Sequence, residues 1–495
     1  MYSDYASYQL PVREFVSQEF SEGRFPHWIP WLGCGIPLHA TQQAGLCYPL
    51  LTPLLVFFNA NAAIRISLFA HVILGFLGQY RLGRQLTLSV SGSALAALIS
   101  TQSGFVCSHL AVGHIALVLA YSLIPWLLSS VVEICEAPSL RGTCRFSAVV
   151  AALLLVGHPQ VPYYALLFGG LWAAASLAIG RAALSRTAVI SAFGAGLCPG
   201  IAMAAVQLLP ALNLHSETAL RSMRGTAEYA ATYAISGMDL YRLFFPSLFG
   251  NPMANIPEFM APDFYHEKVC YPGVMCWCLA VIALFSGLSR RWPWGAAGLV
   301  ILGIVVSLGN STSLFSWLCS VVPGLILFRC PRRCLAMVSI LMALLAGRGF
   351  DAMTQASPAL GRWAEARMAT VLLFLAVAVG FLADDALAQT DMSRWAEFAE
   401  THLRWELVAS VCALAAAIVV IRFMVRVPER MRLLMVTLVV VMDLGYFNLH
   451  CIQYEEHQGC AVNGRERCGN RKQPLSRQGR MWMYCWRRLT RQPSH

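Results

Sequence analysis

Charge is what this sequence has least of. Asp, Glu, Lys and Arg make up 12% of the 495 residues, about half the ~25% usual for a soluble domain. Other absences narrow the field further. No Walker P-loop and no HExxH helix is present, which leaves phosphate-loop and zincin chemistry without a motif. GAGLCPG at 194–200 has two close glycines but lies inside an apolar run, where small-residue helix packing explains it better than a dinucleotide. The 17 cysteines are scattered and complete no Cys/His zinc pattern. The first residues lack the apolar core of a cleavable signal peptide, and no repeat at a fixed period is visible. No apolar run carries the chain of carboxylates or paired charges found in many ion-coupled transporters. The formal charge of +11 comes from arginines in small groups between apolar runs. That is how membrane orientation signals look, and it disfavours nucleic acid as a partner.

What is there in abundance is apolar length. Hydrophobic residues reach 57% and the mean hydropathy is +0.59, so the expected class is an all-α integral membrane protein. Apolar stretches at 60–80, 90–105, 114–134, 146–156, 161–179, 188–212, 269–288, 293–308, 334–345, 369–382, 407–425 and 433–447 are read as about ten to twelve membrane segments. Short ones are accommodated by tilt or by burial among neighbours. Ahead of them, 11–22 is read as a helix on the bilayer surface, with Phe15, Val16 and Phe20 on one side and Gly23 as its stop. The organisation expected is a first outer loop at 1–59, a helix bundle at 60–449 with a large loop at 213–268, and an atypical polar tail at 450–495.

The loops alternate in charge. One set holds Arg81 and Arg84, Arg141 and Arg145, Arg181 and Arg186, Arg290 and Arg291, Arg348, Arg362 and Arg367, then Arg422, Arg426, Arg430 and Arg432. The positive-inside rule places that set in the cytoplasm. The loops 1–59, 106–113, 157–160, 213–268, 309–333 and 383–406 then face outward. They carry nearly all the Gly-, Pro- and amide-rich material, where function is expected. The opening stretch SDYASYQLPVREF at 3–15 is therefore expected outside, either translocated with its first span or, the reading preferred, preceded by an upstream anchoring helix.

Several side chains on that face are chemically pointed. Asp4 can act as a general base on a hydroxyl or help hold a metal; the alternative is a solvated acid. FRCPRRC at 328–334 sets Arg329, Arg332 and Arg333 at the start of a span, against the charge trend, where a phosphate headgroup would offset their cost. Simple headgroup snorkelling is the alternative. GHPQ at 157–160 interrupts an apolar region with His158 and Gln160, as broken helices lining a cavity do. His109 and His114 lack helical metal-pair spacing and are read as structural. The 213–268 loop carries Glu217, Ser222, Arg224, Asp239 and the acidic-aromatic run PDFYHE, and is long enough for a lid.

The ordered set of these motifs carries a resemblance. Asp4, Gln9, PVREF at 11–15, EGRFPHW at 22–28, GIPLHATQQ at 35–43, Tyr48 and Pro49, GHPQ, Ser222 and Arg224, PSLFGN at 246–251, SLG at 307–309, the arginine motif and LAGRG at 345–349 together resemble the YfhO-like bacterial membrane proteins, over about 3–447. That family is similar to the type C (GT-C fold) glycosyltransferases, which use a polyprenyl-phosphate sugar on the outer face and a carboxylate in the first outer loop. The resemblance implies Asp4 as that carboxylate, Arg329 and Arg332 on the lipid phosphate, and His158 and Gln160 lining the cavity. Arg333, Gln9, Gln42, Arg224 and Glu217 complete the expected binding set. Three departures stand out: the family's first transmembrane helix is missing ahead of Asp4, Ile29 takes the place of an Asn in a WNP turn, and the tail from Cys451 resembles nothing in the family.

The expected function is a hexosyltransferase of the bacterial cytoplasmic membrane, multi-pass, moving sugar from a polyprenyl-phosphate donor to a cell-envelope acceptor. The rival is a non-catalytic lipid-linked glycan transporter or envelope-assembly protein. Expected partners are membrane lipids, the lipid-linked donor and an envelope glycan; metal dependence is left open.

Overall fold

The computed structural model describes residues 4–178, 186–217, 225–247, 250–251, 264–285, 291–355, 404–424 and 426–462. The chain is a multi-spanning membrane protein built from helices, and its described residues contain no extended strand, only isolated bridging such as the antiparallel pair Ile29 and Ile36. Every apolar stretch read from the sequence becomes a helix except 369–382, which lies outside the described residues. Seven helical segments among those described are long and apolar enough to cross a membrane, and three further apolar helices are shorter.

The chain opens on a π-helical turn, Tyr5–Gln9, that runs straight into α1, Leu10–Ser21. The helix thus begins earlier than the 11–22 expected from sequence. Pro11 lies where the π-helical turn passes into α1, and its missing N–H removes a bond at that junction. Gly23, at φ 72°, ends it. A looped segment leads to α2, Thr52–Phe57, and then to the bundle.

The first span, α3 (Ala60–Gln85), starts where the Asn59 side chain accepts the Ala62 N–H. Ser89 caps α4, Val90–Thr101, in the same way. The chain then breaks at Gln102 and Ser103 and resumes as α5, Gly104–Ala111. This second span is therefore longer than the 90–105 read from sequence. The break is tolerated because a neighbour satisfies it: Gly104 N–H donates to the Tyr271 carbonyl at 2.8 Å. There follow α6 (Ile115–Glu136), α7 (Leu140–Leu155), α8 (Gln160–Ala178) and α9 (Arg186–Glu217). Short helices α10 (Ala227–Ala231) and α11 (Tyr265–Lys268) precede α12 (Val274–Phe285), α13 (Trp292–Ser307) and α14 (Ser313–Val321). The last are α15 (Leu335–Thr354), α16 (Arg404–Met424) and α17 (Glu429–Val462).

Burial separates centre from periphery. The α15 span is wholly buried and α6 nearly so, whereas α9 and α17 bury only 22% and 28% of their apolar windows and face outward. Glycines let the central helices touch. A Cβ on Gly349 would stand 1.8 Å from the Leu279 carbonyl oxygen, and one on Gly347 would stand 2.4 Å from that of Gly92. This is the small-residue contact by which membrane helices gain van der Waals packing.

Each set of loops makes its polar contacts within itself. At one end Glu133 pairs with Arg81 at 2.9 Å and with Arg145. Asp351 accepts the Ser89 N–H at 2.7 Å, Ser91 bonds Glu429 at 3.0 Å, and Arg432 reaches the Thr354 carbonyl at 3.0 Å. All these residues border the arginine-bearing loops. Described residues of five loops of the other set meet in the cluster described below, and 383–403 lies outside the described residues.

Replacing Gly349 with Ala is expected to destabilise the bundle by about 1–3 kcal/mol, because backbone rather than a flexible side chain must move. Unfolding of the detergent-solubilised protein by SDS checks this, with Gly298→Ala, which meets nothing within 4 Å, expected to be neutral.

Candidate functional site

Asp4 is held by backbone before its side chain does anything. Its N–H donates to the Val112 carbonyl at 2.9 Å. The turn between α5 and α6 can back onto it because residue 113 is Gly, at φ 85°; a Cβ there would lie 2.3 Å from the Tyr5 nitrogen. The same turn presents His114. Asp4 Oδ2 lies 3.2 Å from His114 Nε2, with the Asp4 side chain 55% exposed and that of His114 16%. An exposed carboxylate therefore rests on the lip of a largely buried imidazole.

From His114 the contacts run inward. Its Nδ1 is 3.9 Å from Glu267 Oε1. His109, on α5, donates through one ring nitrogen to the Phe105 carbonyl at 2.8 Å, and its Nε2 lies 3.3 Å from Glu267 Oε2. The His266 ring packs edge-on against both, with centroids 4.9 Å from His114 and 5.9 Å from His109. Glu267 is buried in α11 and receives the Arg333 fork, Nη2 to Oε1 at 2.6 Å and Nε to Oε1 at 3.0 Å. Arg333 Nη1 is 3.4 Å from Gln160 Oε1, and the Gln160 amide donates to the carbonyls of Arg329 at 2.8 Å and Cys330 at 3.0 Å. One contiguous polar chain thus joins residues of five loops that the charge pattern assigns to the same side.

The arginine motif is shaped to deliver its side chains to different places. Cys330 takes a left-handed conformation, φ 64°, and its N–H bonds the Thr232 carbonyl at 2.8 Å. Arg333 turns to Glu267. Arg332 is buried, its guanidinium carbon 5.6 Å from the Tyr233 ring and 5.9 Å from the Phe264 ring. Its Nε and Nη1 have no hydrogen-bond partner among the described residues. Arg329 is exposed, 5.7 Å over Tyr233. A buried guanidinium with unused donors, flanked by aromatic faces, is a site for an anionic oxygen.

Electrostatics follow from burial and from these pairs. Burial alone would raise the Glu267 carboxyl, but Arg333, then His109, outweigh it and hold Glu267 well below the usual carboxylate range. Burial, aided by the Arg333 cation, holds His158 well below the usual imidazole range. Its Nδ1 accepts the Val161 N–H at 3.3 Å at the start of α8, which requires that nitrogen to be unprotonated. Burial, with His114 next to it, does the same to His266.

Of the residues named from sequence, Asp4, Gln160 and Arg333 stand in the chain of contacts. Arg329 and Arg332 stand beside it, and His158 lies close enough to feel the Arg333 charge. Gln9 and Gln42 do not join it among the described residues. The Gln9 side chain bonds Arg13 one turn on, and Gln42, at φ 66°, sets its carbonyl against Gly157. Arg224 lies outside the described residues, as does the side chain of Glu217 at the end of α9. His109 and His114, whose spacing in sequence points to a structural role, instead converge on Glu267. Glu267 and His266 enter the sequence reading only within PDFYHE. The signal available in sequence was His266, Glu267 and Lys268 directly before the apolar stretch at 269–288, where buried charges need partners.

No family model and no curated protein matches the chain. Among solved structures, ArnT from Cupriavidus metallidurans, bound to undecaprenyl phosphate and in the apo state, is similar in each case with a TM-score of 0.44 and 14% identity, over 91% of this chain and 73% of that one. A likeness this distant leaves function to the geometry.

Because His158 stays neutral in the fold, the unfolded chain binds a proton that the folded ring refuses, so stability should fall as pH drops below ~6.5. His158→Asn keeps an acceptor for the Val161 N–H without a titrating group. It is expected to match wild type in thermal unfolding at pH 8 and to lose less stability at pH 5.5.

Proposed function

We propose that the protein is a glycosyltransferase of a cytoplasmic membrane, taking a sugar from a polyprenyl-phosphate donor on the outer face. The observation that carries this reading is the pairing, at one end of the bundle, of an exposed carboxylate with a buried guanidinium that has free donors. Asp4 ends the polar chain that runs to Arg333, and Arg332 stands beside that chain; one faces open solvent and the other an aromatic recess.

In the proposed reaction the acceptor hydroxyl approaches Asp4. His114 donates to Oδ2, which leaves Oδ1 free to take the hydroxyl proton. The hydroxyl oxygen attacks the anomeric carbon as the carbon–oxygen bond to phosphate breaks, with inversion. The polyprenyl phosphate leaves with that bond's electrons, and its charge is met by Arg332, with Arg329 at the mouth. In many enzymes, preformed donors at the point where charge develops lower the barrier more than any other single effect. Arg333 acts away from the donor. It neutralises Glu267 and, through Gln160, sets the backbone of the arginine motif. His158, held neutral, adds no charge beside the leaving group.

The test uses the full chain in proteoliposomes with radiolabelled polyprenyl-phosphate hexose and envelope membranes as acceptor. Asp4→Asn should lower the transfer rate by about 10²-fold or more while donor binding persists. Arg332→Lys keeps the charge but loses the fork, and should weaken donor binding by about tenfold. Transfer at the wild-type rate by inserted Asp4→Asn protein would sink the proposal. Donor flipping without sugar transfer would favour the transporter.

A further inference from the structure

We propose that His109, His114 and Glu267 form a mononuclear site for a zinc-class divalent cation. The basis is a mismatch of lone pairs that stands apart from the transfer reaction. His109 Nδ1 is 2.8 Å from the Phe105 carbonyl oxygen, an acceptor only, so Nδ1 carries the ring proton. His114 Nε2 is 3.2 Å from the Asp4 carboxylate, so there Nε2 carries it. In the neutral rings, His109 Nε2 and His114 Nδ1 are then bare acceptors, and both face the Glu267 carboxylate, also acceptor only, at 3.3 and 3.9 Å. His114 Nδ1 is buried and has no hydrogen-bond partner among the described residues. A proton on His109 Nε2 would mend one edge and leave His114 Nδ1 as it is. A cation between the three mends all of them.

The distances suit such an ion. One ligand atom from each residue lies within 4.8 Å of the others. Tetrahedral zinc with bonds of ~2.05 Å sets its donors about 3.3 Å apart. The His109–Glu267 edge is already at 3.3 Å, to Oε2. His114 Nδ1 lies 3.9 Å from the other oxygen, Oε1, and the three ligand atoms lie within 4.8 Å of one another, so the His114 ring must close on the ion by up to about 1.5 Å. The outer contacts are those that orient metal-binding imidazoles: a backbone carbonyl behind His109 and a carboxylate behind His114. Arg333 holds Oε1 at 2.6 and 3.0 Å, while Oε2, the oxygen facing His109, receives only the longer Arg333 Nε contact at 3.3 Å and the Cys330 thiol at 3.5 Å, which the ion would displace. Two imidazoles and one carboxylate favour zinc over magnesium or calcium. Three protein ligands leave a fourth position for water or an anionic oxygen, as in catalytic rather than structural zinc sites.

Detergent-purified full chain, stripped with a chelator and reloaded with Zn²⁺, should hold one zinc per chain by elemental analysis. With Co²⁺ it should show the visible absorption of a tetrahedral nitrogen–oxygen site. His109→Gln and His114→Gln should each weaken Zn²⁺ binding by about 100-fold or more. Asp4→Asn should still bind one zinc, about 10–100-fold more weakly, as for loss of a carboxylate behind a ligand. His39→Gln, away from the cluster, should bind as wild type. Should His109→Gln fail to fold, His114→Gln carries the test: Zn²⁺ should raise the unfolding midpoint of wild type and not of this variant. Zinc at the blank level in folded wild type would overturn the proposal, as would wild-type affinity in folded His109→Gln/His114→Gln protein. Because occupancy is read without turnover, loss of the transferase reading leaves this one standing, and the reverse also holds.

Discussion

The buried carboxylate of Glu267 is the interaction on which the functional end of the molecule depends. An uncompensated charge away from water costs several kcal/mol, so the fold must bring it partners. Its counter-charge, Arg333, comes from the turn before α15, and the rings of His109, from α5, and His114, from the turn before α6, close around the same carboxylate. Asp4 then attaches to the outer side of His114, and Gln160 to the outer side of Arg333. Satisfying one acid thereby registers five loops against each other. Such compensation does not make the pair strongly stabilising, since burial offsets much of the attraction. Its consequence is geometric: the loops take an arrangement in which the Glu267 charge meets Arg333.

The bundle beneath supplies the rigidity this needs. Two central helices, α6 and α15, are surrounded by protein, and glycines at 92, 347 and 349 bring α4, α12 and α15 to backbone contact. At the far end, Glu133 between Arg81 and Arg145, and Asp351 at the start of α4, tie the arginine-bearing loops. Polar chemistry is thus concentrated at the two ends with apolar packing between, as a bilayer demands of any spanning chain.

Much of the fold was legible in the sequence. Apolar runs long enough to span a membrane admit few alternatives to helices, because each span must satisfy its own backbone groups. Asp4, GHPQ and FRCPRRC stood out singly, each as a polar group where an apolar one was expected. Their meeting was not legible. His109 and His114, five residues apart, cannot share one face of a regular helix; they converge because α5 ends and the Gly113 turn doubles the chain back. Arg332 and Arg333 are neighbours with opposite fates, one turned to a carboxylate and one to aromatic rings, because Cys330 adopts a left-handed conformation just before them. Gln9 looks as polar as Gln160 in sequence, but it lies one helical turn from Arg13 and is taken up by it.

By itself, then, the sequence determined that this is a multi-spanning membrane protein built from helices. Hydrophobic length and the placement of arginines are local properties that every segment carries on its own. Which polar residues form a site was decided only by tertiary structure. A buried charge selects its partners by distance, and the distance between Asp4, His114, Glu267 and Arg333 depends on how the helices between them pack.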